Sequence, residues 1–504
     1  MVLCTSARSR CILSAAVAAA ATLAGSSTSI AAERPWIEIG TPHFVVVANT
    51  SEGSARDVGW QFEQVRYVFE TLWPWARRER GRPFYVIAVR GESDMRALAP
   101  YYWESGRDGT VGVAVSGPDK DYVALQAGVA LPDTLRTNPY FYAYWGYANR
   151  ALQAAFPGTL PLWFARGLSD LFGNTLVRGK EVQVGRVLMH HIEQLGRSGR
   201  IPLPELLAVD RNSKYYTDES RRATFDAESW MLVHYFVFGD KGVHQPQLNR
   251  FSEMLRQGRA QDVAFREAFG TPETVTNAFL NYLGQQLKGY AVVKADLNVK
   301  PAGFEVRPLS PAAAAALRAS FHVAMDRPRE ARALIEEARR TEAASVLASE
   351  AEALLLDREE KEDDAAAAYA RAADGGSDNF YVYYRVASLM QRTDASPEML
   401  ARMTRRLEYA VKLNPDHAWS QASLARALCR QQQWEPAIRA ARQAVTLEPS
   451  VAAHRLALVQ ALWNASHEAD ARQQLQAARD LATSDGDRRA VQEWSEFMDR
   501  PRDR

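Results

Sequence analysis

The sequence predicts two successive parts, an α+β domain followed by an all-α superhelix of repeated helix pairs. Short apolar, β-branched runs alternate with helical patterns in the first half of the chain. In the second half, small residues recur at a constant interval along the helical pattern. Residues 291–311 hold three prolines and little periodicity, so we expect the domain boundary there and two parts that fold separately.

Residues 1–32 have the pattern of a secretory signal. Arg8 and Arg10 form a basic start, and residues 11–23 form an Ala-rich apolar core. Small residues follow, and Ile30-Ala31-Ala32 is the expected cleavage site. A core of about a dozen residues is too short to span a membrane. We therefore expect an exported bacterial protein, periplasmic in the first place, with secretion as the alternative; an uncleaved amphipathic anchor is the competing interpretation.

The composition is that of a globular protein with several domains. Apolar residues make up 47% of the chain, charged residues 24%, and the formal net charge is +1. This near-neutral charge and the lack of a basic arm argue against nucleic-acid binding. No later apolar run is long enough for a membrane span. After removal of the leader Cys429 is the only cysteine, so no intramolecular disulfide is expected.

The first half begins with a small predicted sheet. Residues 44–48 and 84–89 are apolar and β-branched and predict strands, and residues 54–73 between them carry apolar side chains at helical spacing. Residues 110–115 and 122–125 predict two further short strands. Helices dominate the remainder of this half.

Two consecutive helices are predicted next, over residues 140–155 and from residue 160, joined by a turn at Pro157-Gly158. Aromatic residues concentrate in and before this hairpin, where they serve either core packing or stacking on a ligand. The candidate ligand-contacting side chains here are Tyr144, Tyr147 and Trp163.

The hairpin resembles the peptidase MA-like family of bacterial zincins, whose pattern is roughly HEYxH followed, after a short gap, by LPxWLxEGLAEYF. Residues 160–172 read LPLWFARGLSDLF and fit the second half of that pattern except at Arg166. The resemblance covers residues 35–290 and implies a zincin-like α+β domain at 33–300. Three further stretches are similar to the family's opening strand pair, downstream helix and closing segment: residues 36–50, 225–242 and 265–283.

The four chemical positions of the family are not matched. The resemblance places the two zinc-binding His and the third-ligand Glu at Trp145, Asn149 and Arg166, and the general-base Glu at Gly146. Trp has no lone pair to offer, Asn is a poor zinc donor, and Arg is permanently cationic. Without a carboxylate at position 146 no base takes a proton from water. We therefore expect no metal, no cofactor and no catalysis, which describes a pseudopeptidase.

Two other interpretations stay open. The hairpin is an ordinary helical pair with an overstated resemblance, or the chain is a metallopeptidase-like hydrolase with a relocated or unrecognised metal site. The sequence holds no HxxxH pair, and the adjacent His190 and His191 point to different faces of a helix. His234 lies among apolar and aromatic residues and is interpreted as a core histidine.

Arg166 needs a partner, because an unpaired guanidinium in an apolar cleft is unfavourable. Asp170 follows one helical turn later, at the i+4 distance where opposite charges meet. The spacing predicts an Arg166–Asp170 ion pair.

Residues 310–490 repeat with a period of about 34. Ala437, Ala441 and Ala444 recur as Ala471, Leu475 and Ala478; Ala331, Ile335 and Ala338 recur as Ala365, Tyr369 and Ala372. Ala410 and Pro415 precede Ala444 and Pro449 by the same interval, while the longer interval from Ala372 to Ala410 indicates a four-residue insertion. This is the signature of tetratricopeptide (TPR) repeats. We expect about five units and a tail at residues 491–504, and thus a zincin-like α+β domain followed by an all-α TPR superhelix.

A TPR array is a binding surface for peptides and proteins. The candidate contacts on its first helices are Tyr381, Tyr384, Trp419 and Arg426. The sequence therefore predicts an exported, non-catalytic scaffold or adaptor that binds a protein or peptide through the TPR groove. The alternative role of the array is to cap the first domain.

Overall fold

The structure is a computed structural model that describes residues 35–76, 82–104, 109–131, 137–156, 160–285, 289–390, 396–482 and 484–500. The predicted leader at residues 1–32 and the predicted turn at Pro157-Gly158 lie outside these ranges.

The first part of the chain contains two sheets and a set of helices. Over the described residues the strands are β1 Ile37–Gly40, β2 Val45–Ala48, β3 Phe84–Val89, β4 Gly112–Ser116, β5 Asp121–Gln126, β6 Leu176–Arg178, β7 Glu181–Val184, β8 Ala291–Lys294 and β9 Glu305–Pro308. The α-helices of this part are α1 Glu52–Leu72, α2 Glu92–Leu98, α3 Phe141–Ala155, α4 Leu162–Gly173, α5 Met189–Arg197, α6 Leu203–Ala208, α7 Lys214–Thr217, α8 Glu219–Phe238, α9 Gln245–Arg256, α10 Gln261–Phe269 and α11 Pro272–Leu283. The predicted strands and the predicted first helix are confirmed with small shifts at their ends.

The larger sheet has six strands in the order β4-β5-β3-β2-β1-β9. Strand β3 runs parallel to β2 and β5, whereas β4 pairs antiparallel with β5 at one edge. At the other edge β9 pairs antiparallel with β1, so that Ile37 lies opposite Pro308. The smaller sheet has the order β6-β7-β8. The segment expected to be a linker therefore supplies one strand to each sheet.

Helix α1 covers one face of the larger sheet. Its N-terminus is capped by Ser51, whose side chain accepts a hydrogen bond from the Ser54 amide. Phe62, Val65 and Phe69 lie on its buried stripe and pack against strand residues such as Val46. The spacing of these apolar residues is the helical pattern seen in the sequence.

The hairpin of α3 and α4 packs on both of its sides. Gly146 of α3 faces Ala114 on the edge strand β4, and Gly167 of α4 faces the backbone of Ser229 on α8. A Cβ atom at position 167 would lie 2.2 Å from the Ser229 carbonyl oxygen, so only glycine allows this approach of the two helices. Trp163 extends from α4 into the core beside Phe251 of α9.

The second part of the chain is helical. The described residues from 311 to 481 form five antiparallel helix pairs: α12 Pro311–Ala324 with α13 Pro328–Thr341, α14 Val346–Arg358 with α15 Glu362–Asp374, α16 Phe380–Leu389 with α17 Pro397–Leu413, α18 Ala418–Arg430 with α19 Trp434–Leu447, and α20 Ala452–Asn464 with α21 Glu468–Leu481. A further helix, α22 Asp485–Asp499, follows. The tail expected at 491–504 is thus helical as far as Asp499, because Val491 and Met498 bury an apolar stripe against the last pair.

The repeat period is visible in the packing and in the backbone. Alanines at equivalent places of the second helices are all fully buried: Ala331, Ala365, Ala437 and Ala471, and likewise Ala338, Ala372, Ala410, Ala444 and Ala478. The turn between first and second helix holds a residue with positive φ in four pairs: Asp326, Glu360, Gln432 and Ser466. In the third pair residues 391–395 of this turn lie outside the described residues. This part has the architecture of a TPR array.

The array and the larger sheet share a core. Leu317 and Phe321 of α12 pack against Val47, Ile87 and Tyr122 of the sheet, and the Phe321 and Tyr122 rings are 5.9 Å apart. The described residues from 35 to 500 form one compact unit. Separate folding of the two parts stays a prediction; a cut at the expected boundary would expose an apolar face on each side.

Candidate functional site

The positions that the resemblance aligns with the zincin zinc site lie in a network of side chains. The indole N–H of Trp145 donates a hydrogen bond to Asp170 Oδ1 at 2.7 Å. The other carboxylate oxygen of Asp170 lies 3.0 Å from His191 Nε2. Trp145, Asp170 and His191 thereby join α3, α4 and α5, and both oxygens of the carboxylate are engaged.

Arg166 is paired with Asp226 on α8, so the prediction of an ion pair with Asp170 was wrong. Arg166 Nε lies 3.2 Å from Asp226 Oδ1, and its guanidinium lies over the Trp145 ring at 5.4 Å. Burial raises the pKa of Asp226 to about 6, and Arg166 opposes this shift. The i+4 rule considers one helix only, whereas the pairing that forms joins two helices that cross.

The two remaining positions are closed in different ways. A Cβ atom at Gly146 would lie 2.0 Å from the Cβ atom of Ala114, so a glutamate does not fit there without movement of β4. Asn149 accepts a hydrogen bond from Gln153 at 2.8 Å and is 3.5 Å from the Ser169 hydroxyl. Over the described part of the chain no group of three His, Cys, Asp or Glu side chains is arranged to hold a metal ion.

The histidines lie where the sequence predicted. His234 is fully buried, with Nδ1 2.7 Å from the Tyr282 hydroxyl and Nε2 3.1 Å from the Gly185 carbonyl oxygen. Burial lowers its pKa to about 4, so His234 is a neutral core residue. His191 is buried and His190 exposed, which places them on different faces of α5.

Two of the three candidate aromatic residues of the hairpin belong to the core. Trp163 is fully buried, and Tyr144 is buried with its hydroxyl 3.1 Å from Gln61 Oε1. Neither reaches solvent, because the sheet covers one side of the hairpin and α8 to α10 cover the other. Tyr147 is mostly buried, and its ring forms part of the wall of a cleft.

This cleft, of about 750 Å³, lies between the larger sheet and the array, and we call it the sheet–array cleft. On the sheet side its wall includes Arg82, Asp121 and Arg150, with the rings of Phe84 and Tyr147 between them. The array side consists of the turns that precede α18 and α20 and of the first turn of α18: Pro415, Asp416, His417, Trp419, Glu448 and Val451.

Two guanidinium groups of the cleft share one carboxylate. Arg150 Nε is 2.8 Å and Arg82 Nε 3.8 Å from the oxygens of Asp121. Burial raises the pKa of Asp121 to about 6, although Arg82 lowers it in part. This side of the cleft therefore carries a net positive charge at neutral pH. These residues escaped the sequence analysis because they come from three distant segments, none with a motif.

The four candidate residues of the array have different environments. Trp419 is 38% exposed and lies with its ring 4.7 Å from that of His454. Tyr381 and Tyr384 pack on each other at 5.6 Å and are half-buried. Arg426 donates a hydrogen bond to the Ser423 hydroxyl at 3.0 Å, and burial lowers its pKa. Of these four, Trp419 borders the cleft.

The turn between β4 and β5 is inserted against the array. Lys120 Nζ lies 2.7 Å from Asp119 Oδ2 and 3.4 Å from Glu350 Oε2 on α14. The Asn379 amide donates to the same two carboxylates at 2.7 and 3.2 Å, and the Ser377 hydroxyl donates to Glu350 at 2.6 Å. Burial disfavours the ammonium, but Asp119 and Glu350 hold the pKa of Lys120 well above its usual value. All five side chains are buried.

Comparison with solved structures finds TPR proteins. YrrB, described as a TPR protein with an unusual peptide-binding site, has a TM-score of 0.32 at 14% identity over 37% of this chain and 92% of its own. MamA from Desulfovibrio magneticus RS-1 has 0.29 at 17% over 34% and 96%. TTC0263 from Thermus thermophilus has 0.27 at 17% over 36% and 96%. The TM-scores lie below 0.5, so we base the assignment of the repeats on the chain's own periodicity.

No protein-family model matches the chain, and no curated protein is significantly similar to it. In the described residues no helix combines the length and the apolar character needed to cross a membrane.

Proposed function

We propose that this chain is an exported, non-catalytic scaffold or adaptor that binds a peptide or protein, built from an inactive zincin-like domain and a TPR array. The leader pattern in residues 1–32 supports export to the periplasm, with secretion as the alternative. The fit of residues 160–172 to the zincin pattern supports the assignment of the first domain.

The observation that carries the proposal is the condition of the zincin positions. Trp145, Arg166 and Asn149 all contact other side chains of the protein, and the fourth position admits no side chain beyond glycine. Catalytic zinc needs three donors and an open position for water, and a base beside it. The TPR architecture favours a binding role, because such arrays recognise partners on an extended surface.

The test uses the mature chain, residues 33–504, purified without a metal-binding tag and immobilised as bait in periplasmic extract. We expect a retained protein that, purified by itself, binds the chain in calorimetry with a saturable isotherm and stays intact after incubation with it. Absence of any partner that binds after purification overturns the binding role. Cleavage of the partner or of casein that a chelator abolishes overturns the non-catalytic assignment and supports the hydrolase alternative.

A further inference from the structure

The first helices of the second, third and fourth pairs carry equivalent residues on one face of the array. Other parts of the chain cover this face at the second pair and leave it exposed at the fourth. Leu347, Tyr381 and Trp419 are related by the repeat spacing, with the four-residue insertion between the last two. Leu347 packs against the core of the sheet, and Tyr381 is half-buried on Tyr369 and Tyr384. Trp419 is the first of the three to be exposed, and it lines the sheet–array cleft.

The β4–β5 turn of the same chain covers this face of the array at the second and third helix pairs. Asp119 and Lys120 are buried against Glu350 of α14, and Glu350 is the repeat equivalent of Tyr384. A buried, hydrogen-bonded charge cluster of this kind is not displaced by a ligand without leaving unpaired charges. A partner is thereby restricted to the part of the face that remains open, which is the cleft.

The two walls of the cleft differ in charge. On the sheet side Arg82 and Arg150 flank the carboxylate of Asp121, and both guanidinium groups are partly exposed. The same wall also holds the ion pair of Arg66 and Glu70, so its net charge stays positive. Arg150 Nε and Asp121 Oδ1 are both buried and lie 2.8 Å apart without a well-directed hydrogen bond between them, and Arg150 Nη1 donates to Gln153 Oε1 at 2.9 Å. On the array side stand Asp416 and Glu448.

We propose that the sheet–array cleft binds an extended peptide segment that places one carboxylate against the exposed sides of the Arg82 and Arg150 guanidinium groups, which flank Asp121, and an apolar side chain on Trp419. This inference rests on the proposed function and names the site and the ligand chemistry. A guanidinium pair suits a carboxylate, and the cleft volume is within the range of about 300–1,000 Å³ typical of ligand sites. Asp416 and Glu448 repel a polyanion such as a nucleotide or nucleic acid, whereas a peptide with one acidic residue satisfies both walls.

The experiment measures fluorescence anisotropy of four pools of fluorescein-labelled dodecapeptides, degenerate except for a fixed central Glu, Gln, Lys or phosphoserine. The protein is the mature chain. We expect the Glu pool to bind about tenfold more tightly than the Gln pool. Arg150→Gln should bring this ratio close to one, and Arg150→Lys should retain part of it. Trp419→Ala should weaken both pools alike.

Two control variants locate the site. Arg439→Gln removes an exposed cation from α19, away from the cleft, and should change nothing. Tyr142→Ala alters a separate pocket beside His190 at the start of α3. Circular dichroism and thermal unfolding verify that each variant is folded.

Each contrary result has a distinct meaning. If the affinity ratio of the Glu and Gln pools is unchanged in folded Arg150→Gln, the carboxylate site is overturned. If the phosphoserine pool binds more tightly than the Glu pool, the ligand group is a phosphate and the carboxylate inference is wrong. Loss of binding in Tyr142→Ala alone moves the ligand to the hairpin pocket. If no pool binds while the bait experiment yields a partner, the cleft inference fails and the proposed function stands; if both are negative, the function fails too.

Discussion

Trp145 and Asp170 are joined by a 2.7 Å hydrogen bond between consecutive helices of the hairpin. In the resemblance to the zincin pattern, the acceptor aligns with the last Glu of EGLAEYF and the donor with the first zinc-binding His. The indole thus satisfies a carboxylate that would otherwise be buried beside His191 alone. The bond therefore makes this part of the hairpin a packed interface between α3 and α4.

The mature protein should contain no catalytic zinc. Elemental analysis of protein purified without an affinity tag is expected to give far less than one zinc per chain, and a chelator should leave the midpoint of thermal unfolding unchanged. The physical reason is that the four positions offer no set of three donors. Zinc that survives dialysis in a one-to-one ratio would contradict the prediction and revive a relocated site.

Gly146→Ala should destabilise the protein, because the added Cβ atom meets that of Ala114 at 2.0 Å. Overpacking of this kind costs about 1–3 kcal/mol. The matched control is Gly196→Ala in α5, where a Cβ atom meets nothing within 4 Å; it should be neutral or stabilising by up to about 1 kcal/mol. Urea unfolding measures both, and equal effects of the two substitutions would show that β4 yields without strain.

Glu228 should make stability fall as pH rises. Burial raises the pKa of Glu228 from 4.5 to about 7, although its bond from the Ile201 amide opposes the shift. The folded state holds the proton more tightly than the unfolded state, so this stabilisation is complete below about pH 4.5 and lost by about pH 7. Glu228→Gln keeps the acceptor oxygen but does not ionise. We expect the free energy of unfolding of the variant, minus that of the wild type, to increase by about 2–3 kcal/mol from pH 4.5 to pH 7.5.

The control for this prediction is Glu193→Gln, an exposed carboxyl on α5. The change that this control shows between the two pH values is the baseline with which the change for Glu228→Gln is compared. A stability difference for Glu228→Gln that changes no more than this baseline would mean that Glu228 ionises normally in the folded protein.

Lys120→Met should be strongly destabilising, because it leaves Asp119 and Glu350 buried together without their cation. Loss of one partner of a buried ion cluster costs about 3–5 kcal/mol. Adding Glu350→Gln removes one of the two repelling charges, so the double variant should be more stable than Lys120→Met alone. Additive losses in chemical unfolding would mean that the two side chains do not interact.

A fragment of residues 33–300 should be less soluble and less stable than one of residues 33–327. The shorter fragment lacks β9 and α12, and therefore exposes the β1 edge and the apolar face around Tyr122. Sedimentation and thermal unfolding compare the two. A shorter fragment that remains monomeric with an unchanged unfolding midpoint would support the expectation of separate domains.

The sequence predicted those features that repeat or alternate locally. β-branched runs located the strands of the sheet, and buried alanines located the helix pairs, because both patterns follow from the burial of one face. The surroundings of His234 likewise indicated a core residue. The pairing of Arg166 with Asp226 was beyond such reasoning, since it depends on the crossing of α4 and α8 at Gly167.

Local sequence patterns did not predict the sheet–array cleft for a similar reason. Arg82, Asp121 and Arg150 come from three separate segments, and Trp419 is distant from all of them in sequence. The pairing of β3 with β5 and the packing of α3 on the sheet bring the first three together. The packing of α12 on the sheet and of the β4–β5 turn on the array adds Trp419. The low periodicity of residues 291–311 suggested a linker, because a short edge strand such as β9 leaves almost no pattern.

The position of β9 late in the chain determines when the larger sheet is completed during synthesis, which proceeds from the N-terminus. The hydrogen-bonding groups on the outer side of β1 stay open until residues 305–308 have followed, and most of the first part of the chain lies between these residues and Ile37. An open strand edge is a template for pairing with other chains. Throughout that interval the nascent domain can aggregate through this edge. Since α12 follows directly after β9, the β1 edge and the apolar sheet face around Tyr122 are covered at nearly the same time.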